Sequence, residues 1–399
     1  MSSFKVIEGG VLAARDYVAA AMNCGIKPEA LDLVLIHSKR PAVAAATLTQ
    51  NRFRAAPTFV TGEAVAEGFV QSIVVNSGNA NCATGEQGLA DARRMGQIAA
   101  EATGVAADEV IVCSTGKIGV PLPMDKIEAG IPKLAQMLGP DNADLAARGI
   151  MTTDTHPKAC AVQFEVGGTT CRIGAICKGA GMICPNMATM LCFICSDVAI
   201  EAPALREALS WCVARSFNCV SVDGDMSTND TVAILANGAA ENPVISGEDR
   251  GAYDAFVAAL LHVTQDLARQ IAFDGEGSTK DVTIQVTGGK DYVQAREVGR
   301  AIARYNEFRT MLYGQSFNWG RIAAAMGAGL LDIDPRTVSI KLQGVLTWDR
   351  GRIATYDKDA GAEALKSGEI LVEVDLGQGE AEATVWTCDL TPTYIELNV

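Results

Sequence analysis

Histidine is nearly missing from this chain: His37, His156 and His262 are the only three in 399 residues. None stands in a recognisable triad motif, and His262 falls inside a long helical pattern. A nucleophile here must find its base somewhere other than an imidazole. Positive charge is also short. Lysine and arginine number 33 against 47 acids, a formal net charge of −14. That balance argues against nucleic acid and anionic membranes as partners, although a single local lysine can still hold a substrate carboxylate. No run of 18 apolar residues occurs, so no membrane span is expected. No secretory signal, internal repeat or low-complexity tract is found, and the expected compartment is the reducing cytoplasm.

Cysteine, by contrast, is plentiful at twelve residues. Cys113, Cys177, Cys192, Cys195 and Cys219 lie inside apolar runs, where free cysteine behaves as a small hydrophobe. The one C-x-x-C spacing, Cys192 to Cys195, has neither four ligands for zinc nor the helix start of a redox motif, so no metal is expected. Hydrophobic residues make up 49% and charged residues 20%, enough to build sizeable cores. The length suggests two domains or one large two-lobed one.

Strand and helix patterns alternate, which indicates an α/β protein. Leu31–His37, Pro41–Leu48 and Ser72–Val75 read as strands, the last running into a turn-forming Asn76-Ser77-Gly78-Asn79-Ala80-Asn81 cluster. Asn51-Arg52-Phe53-Arg54-Ala55-Ala56-Pro57 reads as a partly basic connection. Glu86–Thr103 reads as a helix with Leu89, Ala92, Ile98 and Ala99 buried, ending near Gly104. Val110–Cys113 is a strand that feeds Ser114-Thr115-Gly116-Lys117-Ile118-Gly119, a glycine turn able to present backbone N–H groups to an oxyanion. Gln163–Ile176 reads as a hairpin around Gly167-Gly168. Pro203–Phe217 and Asp249–Ile271 read as helices, the latter with a stripe of Phe256, Leu260, Val263, Leu267 and Ile271. Val220–Asp230 gathers Asp223, Asp225 and Asp230, but its spacing is not that of a calcium loop; a glycine turn with capping carboxylates is expected. Val293–Tyr305 reads as a helix. Val338–Leu342, Ile370–Leu376 and Glu382–Cys388 read as C-terminal strands.

The stretch from Lys178 to Asp197, KGAGMICPNMATMLCFICSD, is the most informative. It starts with a lysine and a glycine turn and ends in an apolar strand from Leu191 to Cys195. Between them, Ala188-Thr189 lies at a loop-to-strand boundary. A threonine there is ordinary, since β-branched residues suit strand starts. It can also cut its own chain: Oγ attacks the Ala188 carbonyl, the resulting ester is hydrolysed, and the new α-amino group of Thr189 becomes the base for its own hydroxyl.

This stretch closely resembles the self-cleavage segment of the ornithine acetyltransferase family of arginine biosynthesis, Lys-Gly-Ser/Ala-Gly-Met-Ile-x-Pro-Asn-Met-Ala-Thr-Met-Leu. Asn-Arg-x-x-Ala-Ala-Pro, Ser-Thr-Gly-x-Ile-Gly, Thr-Thr-Asp-Thr, Asp-Gly-Glu-Gly and Asn-Trp-Gly-Arg-Ile are similar to family segments too, in the same order. The resemblance implies a self-cleaving, layered α/β fold with a large lobe, a smaller C-terminal α/β lobe and the site between them. It implies an α chain of residues 1–188 and a β chain of 189–399, interleaved and assembled as a heterotetramer of two α and two β chains. Thr189 is then the nucleophile, with Thr115 and Gly116 as the oxyanion hole. Thr152, with Thr153 the close alternative, Lys178, Glu276 and Asn398 bind substrate. Lys178 suits a carboxylate and Glu276 an ammonium group by charge. The implied reaction is ping-pong: acetyl passes from N2-acetyl-L-ornithine to Thr189, then to L-glutamate. No bound cofactor is implied. Some members also take acetyl from acetyl-CoA, and the residues leave both kinds open.

One departure stands out. The family ends in Asn-x-x-Tyr-x-Thr, whereas this chain stops at Asn398-Val399, so the partner expected downstream of Asn398 is missing. The alternative reaction is a self-cleaving N-terminal-threonine aminopeptidase or amidase that passes the acyl group to water. A third reading is a non-catalytic binding protein whose chain stays intact.

Overall fold

A computed structural model describes residues 4–184, 190–329 and 331–399. The chain forms two compact units, one containing residues 4–179, 190–216 and 226–267, the other 180–184, 217–225 and the remainder from 268. Each unit draws on chain from both sides of the Ala188-Thr189 bond.

The first unit is a nine-stranded sheet. Its strands are β1 (Phe4–Ile7), β2 (Tyr17–Met22), β3 (Leu33–Leu48), β4 (Phe69–Asn79), β5 (Val110–Lys117), β6 (Lys158–Val166), β7 (Thr169–Lys178), β8 (Leu191–Ser196) and β9 (Thr231–Ala236). They lie in the order β1-β6-β7-β8-β9-β3-β4-β5, with β2 paired to β3. The helices are α1 (Ala56–Ala66), α2 (Gly85–Thr103), α3 (Met124–Gln136), α4 (Ala143–Ile150), α5 (Ala202–Ala214) and α6 (Arg250–Phe273), which ends in the second unit. Alternate side chains of β3 to β5 enter different cores, as the two-residue period of a strand requires. Val34, Ile36, Ile73, Val75 and Ile111 pack with Ala146 and Ile150 of α4. Leu33, Leu35, Val74, Val110 and Val112 pack with Met95 and Ile98 of α2 and Ile131 and Leu134 of α3. A sheet buried on both faces explains why these strands read as continuous apolar runs. Helix α2 stops where Gly104 takes a left-handed φ of 74° and its N–H caps the Ala100 carbonyl.

The second unit is a six-stranded sheet of β10 (Asp281–Gly289), β11 (Ser339–Leu342), β12 (Val345–Asp349), β13 (Arg352–Ile353), β14 (Glu369–Asp375) and β15 (Ala381–Cys388). Its order is β13-β12-β11-β14-β10-β15, and β10 pairs parallel with β14 and antiparallel with β15. Helix α7 (Tyr292–Ala303) packs on the sheet so closely that a Cβ added at Gly299 would meet Val385 at 2.7 Å. Helices α8 (Asn306–Tyr313), α9 (Gly320–Ala328), α10 (Lys358–Ala364) and α11 (Pro392–Leu397) complete this unit.

Two sequence expectations change in detail. Leu31–His37 and Pro41–Leu48 are one 16-residue strand, β3, with a register shift against β4 between His37 and Ala42. The Asn76–Asn81 cluster is mostly strand: β4 runs on to Asn79.

Candidate active site

In the first unit, Thr115 and Gly116 lie near the end of β5, which runs on to Lys117 through most of the turn expected from Ser114, beside the end of β4, with Ser77 opposite Thr115 and Gly78 opposite Gly116. The pairing shifts register at Gly78 and Asn79, and both glycines have positive φ, 101° at Gly78 and 135° at Gly116. A Cβ on Gly116 would sit 2.3 Å from the Gly78 carbonyl carbon, so this turn admits only glycine. The asparagines of the cluster brace it. Asn76 Nδ2 donates to the Asn79 carbonyl, and Ser114 Oγ donates to Asn76 Oδ1 at 2.6 Å. Asn79 Nδ2 reaches the Val120 and Pro121 carbonyls, and Asn229 Nδ2 reaches those of Ala80 and Ser114. With its side-chain amides committed this way, the turn is pre-organised, the property an oxyanion site needs.

Thr152 and Lys178 are joined through a residue that sequence reading passed over, Asp154. The Thr152 N–H donates to Asp154 Oδ2 at 3.0 Å, and the Gly179 N–H to Oδ1 at 2.7 Å. The buried Lys158 ammonium also donates to Oδ1, at 2.8 Å. Burial alone would raise this carboxyl. Lys178 and Lys158, with the Lys158 and Gly179 hydrogen bonds, reverse that and hold it well below the usual carboxylate range. Lys178 itself is buried, and its ammonium makes no hydrogen bond or ion pair among the described residues. Thr153 is exposed. Lys27 donates to the Leu31 and Met151 carbonyls, one residue before Thr152. Burial, then the nearby Lys178 charge, favours its neutral form. The only sequence sign of this cluster was the Asp-x-x-x-Lys spacing inside the hydroxyl-rich segment.

Ala188 and Thr189 lie outside the described residues. The strand that follows is well placed: Leu191 pairs with Lys178 on one side and Thr231 on the other, and the Thr231 N–H donates to the Met190 carbonyl. Asp230, one residue before Thr231, is buried with both carboxylate oxygens lacking hydrogen-bond partners among the described residues. Burial pushes its carboxyl well up, only partly offset by nearby groups that include Thr49 and Lys178. The expected capping role of this acidic segment therefore holds for Asp223 and not for Asp230. Asp223, in the second unit, accepts the N–H groups of Met182, Ile183 and Asp225.

The second unit brings Glu276 and Asn398 together, the Asn398 side-chain amide donating to Glu276 Oε2 at 2.8 Å. The Glu276 N–H donates to the Ala180 carbonyl, and its carboxylate lies where a Cβ on Gly181 would be, 2.4 Å away. The flanking glycines answer close approaches too: a Cβ on Gly275 would meet Cys388 Sγ at 2.6 Å, and one on Gly277, at φ +70°, would meet the Tyr394 nitrogen at 2.7 Å.

Other reactive side chains are occupied elsewhere. The cysteines are unpaired and, except for Cys24, buried; burial pushes the Cys113 thiol up to about 12. His37 bonds Ser72 Oγ, and His262 stacks on Phe4 at 4.5 Å. No group of three or more His, Cys, Asp or Glu side chains able to hold a metal is found among the described residues. Nor is any described helix long and apolar enough to cross a membrane.

Comparison with known proteins places these residues in context. The model of the ArgJ family matches residues 18–399. The arginine biosynthesis bifunctional protein ArgJ of Symbiobacterium thermophilum is 45% identical over 98% of this chain and 98% of its own length. The protein of the same name from Caldanaerobacter subterraneus is 42% identical over 99% of this chain and 98% of its own. Among solved structures, Mycobacterium tuberculosis ornithine acetyltransferase complexed with ornithine is 36% identical and covers 46% of this chain and 99% of its own, with a TM-score of 0.42.

Proposed function

Because this chain belongs to the ArgJ family, we propose that it moves acetyl from N2-acetyl-L-ornithine to L-glutamate, with Thr189 carrying the acetyl between them. It is an acyltransferase of arginine biosynthesis. The observation that carries the assignment beyond kinship is the pre-organised Thr115–Gly116 segment, together with the buried Lys178 ammonium, which makes no hydrogen bond among the described residues.

The chemistry follows from these groups. Self-cleavage at Ala188-Thr189 frees the Thr189 α-amine. That amine takes the Thr189 hydroxyl proton as Oγ attacks the acetyl carbon. The developing oxyanion is met by the Gly116 N–H and the Thr115 hydroxyl. The C–N bond breaks, the proton passes to the departing ornithine amine, and acetyl-threonine remains. The amine of glutamate then attacks the ester, Thr189 Oγ leaves and regains its proton, and N-acetyl-L-glutamate is released. Lys178 is assigned to substrate carboxylate, Thr152 to substrate contact, and Glu276 with Asn398 to a substrate ammonium. The relatives are named bifunctional, and we infer a second entry of acetyl into the same intermediate from acetyl-CoA. We place the enzyme in the cytoplasm as a heterotetramer of two α and two β chains.

Product analysis tests the reading. Incubation with N-acetylornithine and glutamate should give ornithine and N-acetylglutamate in equal amounts. Release of acetate at the same rate with or without glutamate would instead make the protein an amidase.

A further inference from the structure

Asn51–Pro57 is a sequence motif to which the chemistry above gives no task. Its backbone and first side chain are firmly tied within the first unit. Asn51 Nδ2 donates to the Met226 carbonyl, the Ala55 N–H to that of Thr228, and the Ala56 N–H to that of Asn81. The side chains between are left in solvent. Phe53 is 67% exposed, Phe59 at the start of α1 is 46% exposed, and Arg52 is exposed beside them. With Arg54 and Leu89 they wall a cleft of about 600 Å³, within the roughly 300–1,000 Å³ of small-molecule sites. Leu89 was expected in the α2 core and is only half-buried, because its side of the helix lines this cleft.

The chemistry of the walls selects a ligand. The Arg54 guanidinium lies 4.6 Å over the Phe59 ring and donates to Thr58 Oγ1 and the Thr58 carbonyl, so its plane is fixed. Arg52 makes no ion pair among the described residues. The start of α2 faces the same cleft at Gly85 and Glu86 without a side-chain cap, since Thr84 Oγ1 donates to Asn81 Oδ1. Glu86 is the one opposing charge. On a chain of net charge −14, two guanidiniums beside two exposed rings form a local exception. Guanidiniums bind phosphate oxygens in pairs, while exposed rings and a fixed guanidinium plane stack on a purine. The cleft also lies next to the oxyanion turn. The Ala80 N–H donates to the Lys117 carbonyl and the Gly119 N–H to that of Cys82, and the chain then passes directly to the cleft wall at Ala83–Gly85.

We propose that this cleft binds the phosphoadenosine end of coenzyme A, with Arg52 on the phosphates and Phe53 and the fixed Arg54 plane against the purine. The proposal rests on the reading that acetyl-CoA is a second acetyl donor, and names where that donor is held.

The test is equilibrium binding of coenzyme A, adenosine 3′,5′-bisphosphate and ADP to the processed enzyme and to Arg52→Ala and Phe53→Ala, with thermal melts to verify folding. Coenzyme A and the bisphosphate should bind the parent enzyme, with ADP weaker, and each variant should weaken both by about tenfold or more. No binding by the parent enzyme, or unchanged binding in folded variants, overturns the site. ADP binding as tightly as coenzyme A overturns the coenzyme assignment in favour of free nucleotides. Steady-state kinetics separate this proposal from the reading beneath it. Arg52→Ala should raise the KM for acetyl-CoA and leave kcat in place, with the N-acetylornithine reaction as control. An equal loss with both donors overturns the cleft assignment. Coenzyme A binding in the cleft of an enzyme that never turns over acetyl-CoA removes the second-donor reading and leaves the cleft standing.

Discussion

Asp154 and Asp230 are both buried carboxyls in the first unit, and their surroundings push them in opposite directions. Asp154 has lysines and N–H donors around it, so its folded pKa lies below its unfolded value. Its stabilisation is present above the unfolded carboxylate pKa and is lost only as pH falls through the lower folded one. Asp154→Asn should therefore destabilise evenly across neutral pH, by about 3–5 kcal/mol, because it takes the carboxylate out of a buried ion pair with Lys158. Urea titration at two neutral pH values checks both size and flatness. Asp230 has the opposite sign: its folded pKa is raised, so the native state holds a proton that the unfolded chain releases, and stability falls as pH climbs above the unfolded value. Asp230→Asn should flatten that decline in melts run from acid to neutral pH; an unchanged slope would show that Asp230 does not titrate as described. For the reaction itself, Thr115→Ala should cost about 10²–10³-fold in kcat, the scale of one lost oxyanion donor. Glu276→Gln should lose roughly 10–150-fold in kcat/KM, the scale of one charge-assisted contact, while processing on a gel continues.

At the scale of elements, the oxyanion turn depends on one glycine and tolerates change at its neighbour. Gly116→Ala drives a methyl into the Gly78 backbone, whereas a Cβ at Gly119 meets nothing within 4 Å. Both have positive φ, so both pay the left-handed penalty of about 1–2 kcal/mol. Only Gly116→Ala should stop acetyl-enzyme formation, as read by intact mass after exposure to N-acetylornithine. The strand from Val110 was legible in the sequence but its length was not, because Ser114 to Lys117 stay extended only by pairing with Asn76 to Asn79 of β4. The α6 stripe was legible because its apolar residues recur at helical spacing, and Phe256, Leu260, Val263, Leu267 and Ile271 are buried as that period requires. Other features were hidden by tertiary effects. Pro41 reads as the start of a separate strand, yet it falls within the register shift of one continuous β3, where its missing N–H leaves no ladder bond to β4 unmade. Helices α8 to α11 are short, and nothing in their local pattern outweighs the loops around them. Asp154 was invisible as a hub because its partners, Thr152, Lys158 and Gly179, meet only once β6 and β7 are paired.

At the scale of the molecule, the activity turns on one bond. The two units each take chain from both sides of Ala188-Thr189, so cutting it leaves two fragments that must each contribute to both. Sizing of the purified enzyme should give the mass of two α and two β chains. The most direct test of the central claim is intact-mass analysis before and after N-acetylornithine. The account predicts two fragments, 1–188 and 189–399, with one acetyl gained by the second and removed again by glutamate. An uncut chain near 41.8 kDa that still transfers acetyl, or an acetyl group carried on the first fragment, would contradict it.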